Sequence, residues 1–121
     1  MNFKFANKKY LSGEITVPAD KSITHRAILF AGFLKGTSVV RVTYLGRDNL
    51  ASLRVIQKLG VQSKMSAPAE SKNFFDGEDL QGISFWDKDY FEIQIEGKGF
   101  SGLQAPKENL YCGNSGTTAR L

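Results

Sequence analysis

The sequence contains one cysteine, Cys112, which excludes an internal disulfide and any metal site built from several cysteines. No apolar run approaches the ~20 residues needed to cross a bilayer, and residues 1–10 are polar and basic with no apolar segment behind them. Lysines and arginines are scattered, and no basic stripe interleaved with exposed aromatic residues is present. We therefore expect a protein of the reducing cytoplasm that binds neither membranes nor nucleic acid.

The length and composition are those of one folded domain. At 121 residues the chain can close a single core but has no room for two complete domains. Its hydrophobic content of 41% and charged content of 23% lie near the globular average, which excludes wholesale disorder. The formal charge of +4 favours anionic partners.

The first part of the chain alternates strand and helix patterns. Residues 13–17 predict a short strand, and a helix capped by Asp20 or Ser22 follows and ends at Gly36. The face of this helix expected to be buried consists of Ile23, Ala27, Phe30, Ala31 and Leu34. Residues 27–34 are apolar on nearly every side, so the helix is expected to pack against more than one neighbour.

The rest of the pattern predicts an α/β chain. A strand over 38–45 leads to a second helix that Asp48 caps and Gly60 ends. The segments predicted beyond it are a strand over 61–65, a mobile polar loop over 66–80 and a half-buried strand over 90–96. The buried face of that last strand is expected to carry Phe91, Ile93 and Ile95, and the aromatic residues just before it are interpreted as strand and core.

Residues 20–26 form the first of two polar, cationic chain reversals. Free backbone N–H groups at the helix start would point at an anion beside the ammonium group of Lys21 and the hydroxyl of Ser22. Arg26 shares a face with Ser22 and offers a planar fork for carboxylate or phosphate. An ordinary capped, solvated first turn fits the same residues, and their composition leaves both interpretations open.

Residues 113–120 form the second chain reversal. Two glycines, an asparagine, a serine and two threonines precede Arg120, and such a loop can expose several N–H groups to one anion. A plain turn with a helix cap fits equally well. The helix that begins here reaches the last residue after barely one turn, so the sequence is expected to be the front part of a longer protein.

Other catalytic signatures are missing from the sequence. Lys21 and Ser22 resemble the end of a phosphate-binding P-loop, but Asp20 stands where that motif requires glycine. No zinc-ligand set, nucleophile elbow or dinucleotide fingerprint is present. We give His25, the single histidine, a structural or solvated role, and we expect Cys112 to be a buried small hydrophobe.

Two long motifs carry a resemblance to a known family. They are GEITVPADKSITHR at 13–26 and GNSGTTARL at 113–121, with LGV at 59–61 and GKG at 97–99 between them. Together they resemble the 5-enolpyruvylshikimate-3-phosphate synthase (EPSP synthase) family. The resemblance covers nearly the whole chain and is weakest over 66–89, which looks like an insertion.

The resemblance implies an enolpyruvyl transfer without a metal or organic cofactor. Members of the family move the enolpyruvyl group of phosphoenolpyruvate to the 5-hydroxyl of shikimate 3-phosphate and release phosphate. By resemblance Lys21 would be catalytic and contact both substrates, while Ser22 and Arg26 would hold shikimate 3-phosphate. Gly116 would lie against phosphoenolpyruvate. The residues further implied to line the site are Asn114, Thr117 and Arg120.

The resemblance also implies two similar domains of βαβαββ units with buried helices and sheets that face solvent. Residues 1–18 would begin one domain, and 19–121 would supply the first unit of the other and the start of the next. Two alternatives remain open. One is an inactive anion-binding fragment that pairs with a second copy or with a missing C-terminal part. The other is a relative acting on UDP-N-acetylglucosamine, although that family has asparagine where this chain has Ser22.

Overall fold

The computed structural model describes residues 12–14, 19–75, 80, 82–113 and 115–120. Most of the strand predicted over 13–17 lies outside these residues, as does Asn114. The elements, in chain order, are α1 (Lys21–Phe33), β1 (Lys35–Val42), α2 (Arg47–Lys58), β2 (Gln62–Pro68), β3 (Ile83–Trp86), β4 (Phe91–Lys98) and α3 (Gly116–Arg120), with 3-10 turns over Ala69–Phe75 and Phe100–Gly102.

The four strands form one sheet in the order β1-β4-β2-β3. Strand β4 runs antiparallel to β1 and β2, whereas β3 runs parallel to β2. Phe91, Ile93 and Ile95 of β4 are buried, and the alternating Gln94 and Glu96 are exposed on the opposite face. The predicted period of two is therefore confirmed, as is the α/β class with a sheet that faces solvent on one side.

Helix α1 begins as predicted and ends earlier than predicted. Asp20 caps it, since its carboxylate accepts the N–H of Ile23 at 2.8 Å. The helix ends at Phe33 rather than at Gly36, because Gly36 already lies in β1 with φ of 118°. A glycine that tolerates positive φ thus allows β1 to begin almost directly after the helix.

The buried face of α1 differs from the predicted one. Of the predicted face, Ala31 is buried, whereas Ile23, Phe30 and Leu34 are exposed. The other buried side chains are Thr24 and His25 beside the apolar Ile28 and Leu29. These polar side chains are buried because they find hydrogen-bond partners, as Thr24 does by donating to the Asp20 carbonyl at 2.8 Å. An apolar pattern alone could not reveal that compensation.

Helix α2 has a different cap from the predicted one. Gly46 is its N-cap, and the Asn49 side chain accepts the Gly46 N–H at 3.1 Å, whereas Asp48 lies within the first turn. The predicted C-terminal stop is confirmed. Gly60 follows the helix with φ of 94° and donates its N–H to the Gln57 carbonyl at 3.0 Å.

The stretch 66–80 was predicted as a mobile loop, and its residues 66–75 form regular elements instead. Strand β2 continues to Pro68, and the 3-10 turn Ala69–Phe75 follows directly. Phe75 is only 1% exposed and packs edge-on against Phe85 and Phe91. One buried aromatic ring therefore anchors a stretch whose composition is otherwise that of a loop. The aromatic cluster is confirmed as core at Phe75 and Phe91, against which Phe74 and Phe85 pack, whereas Trp86 and Tyr90 are half-buried outside the core.

The C-terminal end of α1 lies against β4 through a glycine. A Cβ atom added at Gly97 would lie 1.8 Å from the carbonyl oxygen of Leu34 and 2.3 Å from that of Ala31. Gly32 likewise faces Ile56 of α2, with an added Cβ 3.0 Å from the Ile56 side chain. Gly97 lets two backbones approach closely, and Gly32 leaves room for the Ile56 side chain, so α1 packs against the sheet and against α2. Among the described residues no helix has the length and apolar character to span a membrane.

Candidate functional site

The two helix starts are joined by an ion pair. Lys21 opens α1, and its Nζ donates to a carboxylate oxygen of Asp48, in the first turn of α2, at 2.5 Å. The neighbouring Asn49 side chain donates to the Lys21 carbonyl at 3.1 Å. A charge-assisted hydrogen bond from its side chain and a hydrogen bond from the Asn49 amide to its backbone carbonyl therefore hold Lys21 in one place. The sequence prediction missed the contact of Asp48 with Lys21, because 27 residues separate the partners and no local spacing links them.

The second chain reversal lies beside this pair. Gly113 has φ of 59°, and a Cβ added there would approach an Asp48 carboxylate oxygen to 3.2 Å. Ser115 then caps α3, with its hydroxyl accepting the N–H of Thr118 at 3.1 Å. The prediction of a loop that opens a helix is confirmed. The carboxylate of Asp48 thus contacts Lys21 and also faces the second reversal.

A buried polar cluster connects α1, α2 and the second reversal. Its centre is His25, which is 1% exposed, and its Nδ1 lies 2.6 Å from the Ser52 hydroxyl and 3.2 Å from that of Thr118. The Nε2 atom lies 3.3 Å from the Ser115 hydroxyl. The structural role given to His25 is therefore confirmed, and its three partners were not foreseen.

The environment of His25 favours the neutral imidazole. Burial lowers its pKa below the ordinary value, and the ammonium group of Lys21 lowers it further. The carboxylate of Asp48 acts in the opposite direction and is the weakest of the three influences. His25 is therefore neutral at physiological pH.

The residues predicted to bind ligand are at the surface above this cluster. Lys21, Ser22 and Arg26 on α1 are exposed, as are Gly116 and Arg120 on α3. The contacts of His25 with Ser115 and Thr118 bring the two helices together. A Cβ added at Gly116 would meet nothing within 4 Å, so the space in front of that glycine is open. Thr117 is half-buried, and Asn114 lies outside the described residues.

A cavity of about 320 Å³ opens directly beside Lys21. Its lining combines two cations, one carboxylate and two aromatic side chains with a backbone turn, contributed by Lys21, Tyr44, Gly46, Arg47, Asp48 and Phe74. A larger hollow of about 390 Å³, near the C-terminal end of α2, includes none of the residues of the two reversals. The smaller cavity is the better candidate for an anionic ligand, because it contains the positioned lysine.

Two remaining expectations concern metals and Cys112. Within the described ranges no group of three or more His, Cys, Asp or Glu side chains is arranged to hold a metal ion. Cys112, predicted to be buried, is half-buried. Its position in the connection just before Gly113, and not in a core element, accounts for its partial exposure.

The chain resembles known proteins of one kind. It matches the family described as EPSP synthase (3-phosphoshikimate 1-carboxyvinyltransferase) over residues 5–74. It is 38% identical over 121 residues to the 3-phosphoshikimate 1-carboxyvinyltransferase of Coxiella burnetii (strain CbuG_Q212), covering 100% of this chain and 23% of that protein. With the same-named protein of Streptococcus sanguinis (strain SK36) it shares 41% identity over 115 residues, 95% of this chain and 22% of the relative.

A solved structure of the same family has a similar fold. The EPSP synthase from Acinetobacter baumannii superposes with a TM-score of 0.61 at 36% identity, over 90% of this chain and 20% of that one. The fold is thus of the α/β enolpyruvyl-transferase type. The chain spans less than a quarter of the length of the relatives it matches, 23% in the first and 22% in the second.

Proposed function

Because this chain belongs to the EPSP synthase family, we propose that it is the N-terminal part of an enzyme that makes 5-enolpyruvylshikimate 3-phosphate. The reaction transfers the enolpyruvyl group of phosphoenolpyruvate to the 5-hydroxyl of shikimate 3-phosphate and releases phosphate, in the cytoplasm. The observation that carries the proposal is the Lys21–Asp48 pair at the junction of the two family motifs. It supplies a positioned ammonium group where both motifs meet.

The charges of the site suit the substrates. Each substrate carries a phosphate and a carboxylate, so each needs cationic or N–H donors. The ammonium group of Lys21 and the guanidinium group of Arg26 are exposed on the first turns of α1, whose N-terminal N–H groups also favour anions. We assign shikimate 3-phosphate to Lys21, Ser22 and Arg26.

The second reversal is assigned to phosphoenolpyruvate. Gly116 leaves open space at its Cβ position, so a ligand can approach the backbone there. Thr117, Arg120 and Asn114 would line the same wall. In this arrangement Lys21 lies between the two substrates and stabilises the negative charge that develops during transfer, which is the role we assign to it.

Asp48 is assigned a positioning role in this site. Its carboxylate holds the ammonium group of Lys21 before ligand arrives, at a side chain that is 24% exposed. A flexible lysine otherwise loses side-chain entropy when it orders around a ligand. Asp48 therefore lowers the cost of binding.

The domain assignment is part of the proposal. Residues 19–121 would supply the first βαβαββ unit of one domain and the start of the next unit, and residues 1–18 would belong to the other domain. Before α3, the described residues of this stretch form two helices packed against a four-stranded sheet, which is the number of helices and strands in such a unit, in the order αβαβββ. Substrates would then bind where the two domains meet.

An assay of phosphate release tests the proposal. The chain is compared with a fusion in which it is joined to the remaining part of one of its relatives. We expect phosphate release from shikimate 3-phosphate and phosphoenolpyruvate by the fusion, and none by the 121-residue chain, which covers 23% of the relative. A folded but inactive fusion would contradict the enzymatic proposal. Turnover by the chain alone would contradict the view that its site is incomplete.

Replacing Gly116 with alanine is expected to weaken phosphoenolpyruvate binding without harming the fold. The new methyl group meets no protein atom within 4 Å, and Gly116 has no positive φ, so the crowding falls on the ligand. We expect the KM for phosphoenolpyruvate of the fusion to rise roughly 10- to 100-fold. Inhibition by glyphosate, which in this family uses the phosphoenolpyruvate site, should weaken as well.

The matched control for this variant is Gly13→Ala, since Gly13 is also exposed with open space at its Cβ position. It should leave the KM for phosphoenolpyruvate at the wild-type value. Equal KM values for wild type and Gly116→Ala would show that Gly116 does not face this substrate.

A further inference from the structure

Four buried side chains beneath the proposed site form a closed hydrogen-bonded ring. His25 Nδ1 contacts Ser52 Oγ at 2.6 Å, and Ser52 Oγ contacts Thr118 Oγ1 at 2.6 Å. Thr118 Oγ1 contacts Ser115 Oγ at 2.9 Å, and Ser115 Oγ contacts His25 Nε2 at 3.3 Å. None of the four residues is more than 8% exposed. Their hydroxyl protons therefore depend on partners inside the cluster.

The number of protons in the ring decides which protonation state of His25 it accommodates. Ser52, Ser115 and Thr118 bring three hydroxyl protons but share only two hydroxyl–hydroxyl contacts, both made by Thr118. The third proton needs a nitrogen acceptor. A neutral imidazole has one acceptor nitrogen and one N–H, so every contact of the ring receives one proton. An imidazolium accepts nothing, so one buried hydroxyl proton loses its acceptor in the ring.

The ring joins three separate elements. His25 lies on α1, Ser52 on α2, and Ser115 and Thr118 belong to the second reversal. The second reversal also lies against α2 at Gly113. A Cβ atom added there would be 3.2 Å from a carboxylate oxygen of Asp48 and 3.5 Å from the Cβ of Ala51. The ring therefore fixes the second reversal, which carries Gly116, against α1 and α2.

We propose that His25 is a positioning residue whose neutral imidazole locks the second reversal to α1 and α2, so that protonation of His25 releases the phosphoenolpyruvate side of the site. The inference rests on the proposed function for the identity of the ligand. The lock itself requires no ligand. It makes the geometry of the site dependent on pH through one buried group.

The charges around His25 set the pH range of the lock. Lys21 on α1 and Asp48 on α2 act on the imidazole in opposite directions, and Arg120 is the ionisable residue of α3. Burial is the largest influence and lowers the pKa of His25 below its ordinary value of 6.5. As the pH falls below 6.5, His25 is protonated in the unfolded chain before it is protonated in the folded chain. The ring therefore contributes its full stability above pH 6.5 and loses it as the pH falls towards the folded pKa.

An NMR titration of the chain tests the lock directly, because His25 is the single histidine and its imidazole signals are unambiguous. We expect the imidazole to titrate below the ordinary value, and the amide signals of Ser115, Gly116 and Thr117 to move with the same midpoint. The amide of the exposed Val39 on β1 should not follow. A titration midpoint of the imidazole at the ordinary value would overturn the proposal. So would amide signals of the second reversal that do not shift with the imidazole.

Two variants separate positioning from simple stability. His25→Asn keeps a neutral donor and acceptor, and in it the pH response of Gly116 and Thr117 should vanish. If that variant does not fold, Thr118→Val carries the test, because it removes the hydroxyl that links Ser52 to Ser115. In Thr118→Val only the direct contact of Ser115 with His25 Nε2 remains, so the amides of the second reversal should follow the imidazole with a smaller amplitude than in wild type. Thr37→Val, on an exposed part of β1, should behave as wild type. An undiminished amplitude in Thr118→Val would contradict the ring.

The last arm adds phosphoenolpyruvate and follows the Gly116 amide. We expect the dissociation constant to rise at least about fivefold when His25 becomes protonated, and this rise to be smaller in His25→Asn, where only the titration of the ligand itself remains. An equal rise in both proteins would overturn the positioning role. No binding at any pH, with the amide coupling intact, would instead remove the proposed ligand and leave the lock standing.

Discussion

Replacing Lys21 with alanine is expected to weaken binding of shikimate 3-phosphate by the chain roughly 10- to 100-fold, the loss of one charge-assisted hydrogen bond of about 1.5–3 kcal/mol. The Lys21 side chain is 54% exposed in the free chain, so solvent screens part of its charge. We therefore expect a loss of affinity near the lower end of this range. Isothermal titration calorimetry measures the change. In the active fusion, the same variant should lose most of its turnover.

Two further variants define what the Lys21 result means. Lys64→Ala removes an exposed lysine on β2, away from the two reversals, and should leave the dissociation constant unchanged. Asp48→Asn keeps Lys21 but replaces the carboxylate that holds it, so a smaller loss than that of Lys21→Ala is expected. Equal binding by wild type and Lys21→Ala would refute the assignment of Lys21. An equal loss in Lys64→Ala would show that only net charge matters.

Replacing Gly97 with alanine is expected to destabilise the fold by about 3 kcal/mol or more. The new methyl carbon would lie 1.8 Å from the Leu34 carbonyl oxygen and 2.3 Å from that of Ala31. Both atoms are backbone, so no rotamer change relieves the clash, and α1 must move away from β4. Denaturation by urea, followed by circular dichroism, measures the free energy of unfolding.

Gly116→Ala is the control for this loss of stability. Its methyl group meets nothing within 4 Å, and alanine is a better helix former than glycine, so no loss of unfolding free energy is expected. Equal unfolding free energies for wild type and Gly97→Ala would mean that α1 and β4 are not in close contact. The position of α1, which carries Lys21 and His25, would then need revision.

Features set by local rules could be predicted from the sequence. The cap at Asp20 and the helix stop at Gly60 depend on residues within one turn of each other. The buried face of β4 follows from strict alternation along one strand. Each of these signals is complete within about eight residues of sequence, and each was confirmed.

Features set by distant contacts could not be predicted. The aromatic residues of β3 were interpreted as strand, but its bounds and its parallel pairing with β2 could not be predicted, because the partner lies across the stretch that looked like a loop. The wrong face was chosen for α1 because buried His25 is compensated by Ser52, 27 residues away. Asp48 was taken for a cap because its partner Lys21 is equally distant. In all three cases the tertiary partner decided the outcome.

The candidate site divides in the same way. The two motifs predict which segments bind anions, because glycines, hydroxyls and cations at a helix start have a local chemical meaning. The contact between the segments comes from His25, Ser115 and Thr118, whose side chains are buried beneath the exposed ligand residues. A buried polar residue is recognised only when its partners are known.

The central claim is that the two chain reversals form one substrate site, and a stepwise NMR titration of the wild-type chain tests it most directly. Shikimate 3-phosphate is added first and phosphoenolpyruvate second. We predict saturable amide shifts at Lys21, Ser22 and Arg26 in the first step, and at Gly116 and Thr117 in the second. Shifts scattered over the outer face of the sheet, or no shifts at either reversal, would contradict the claim.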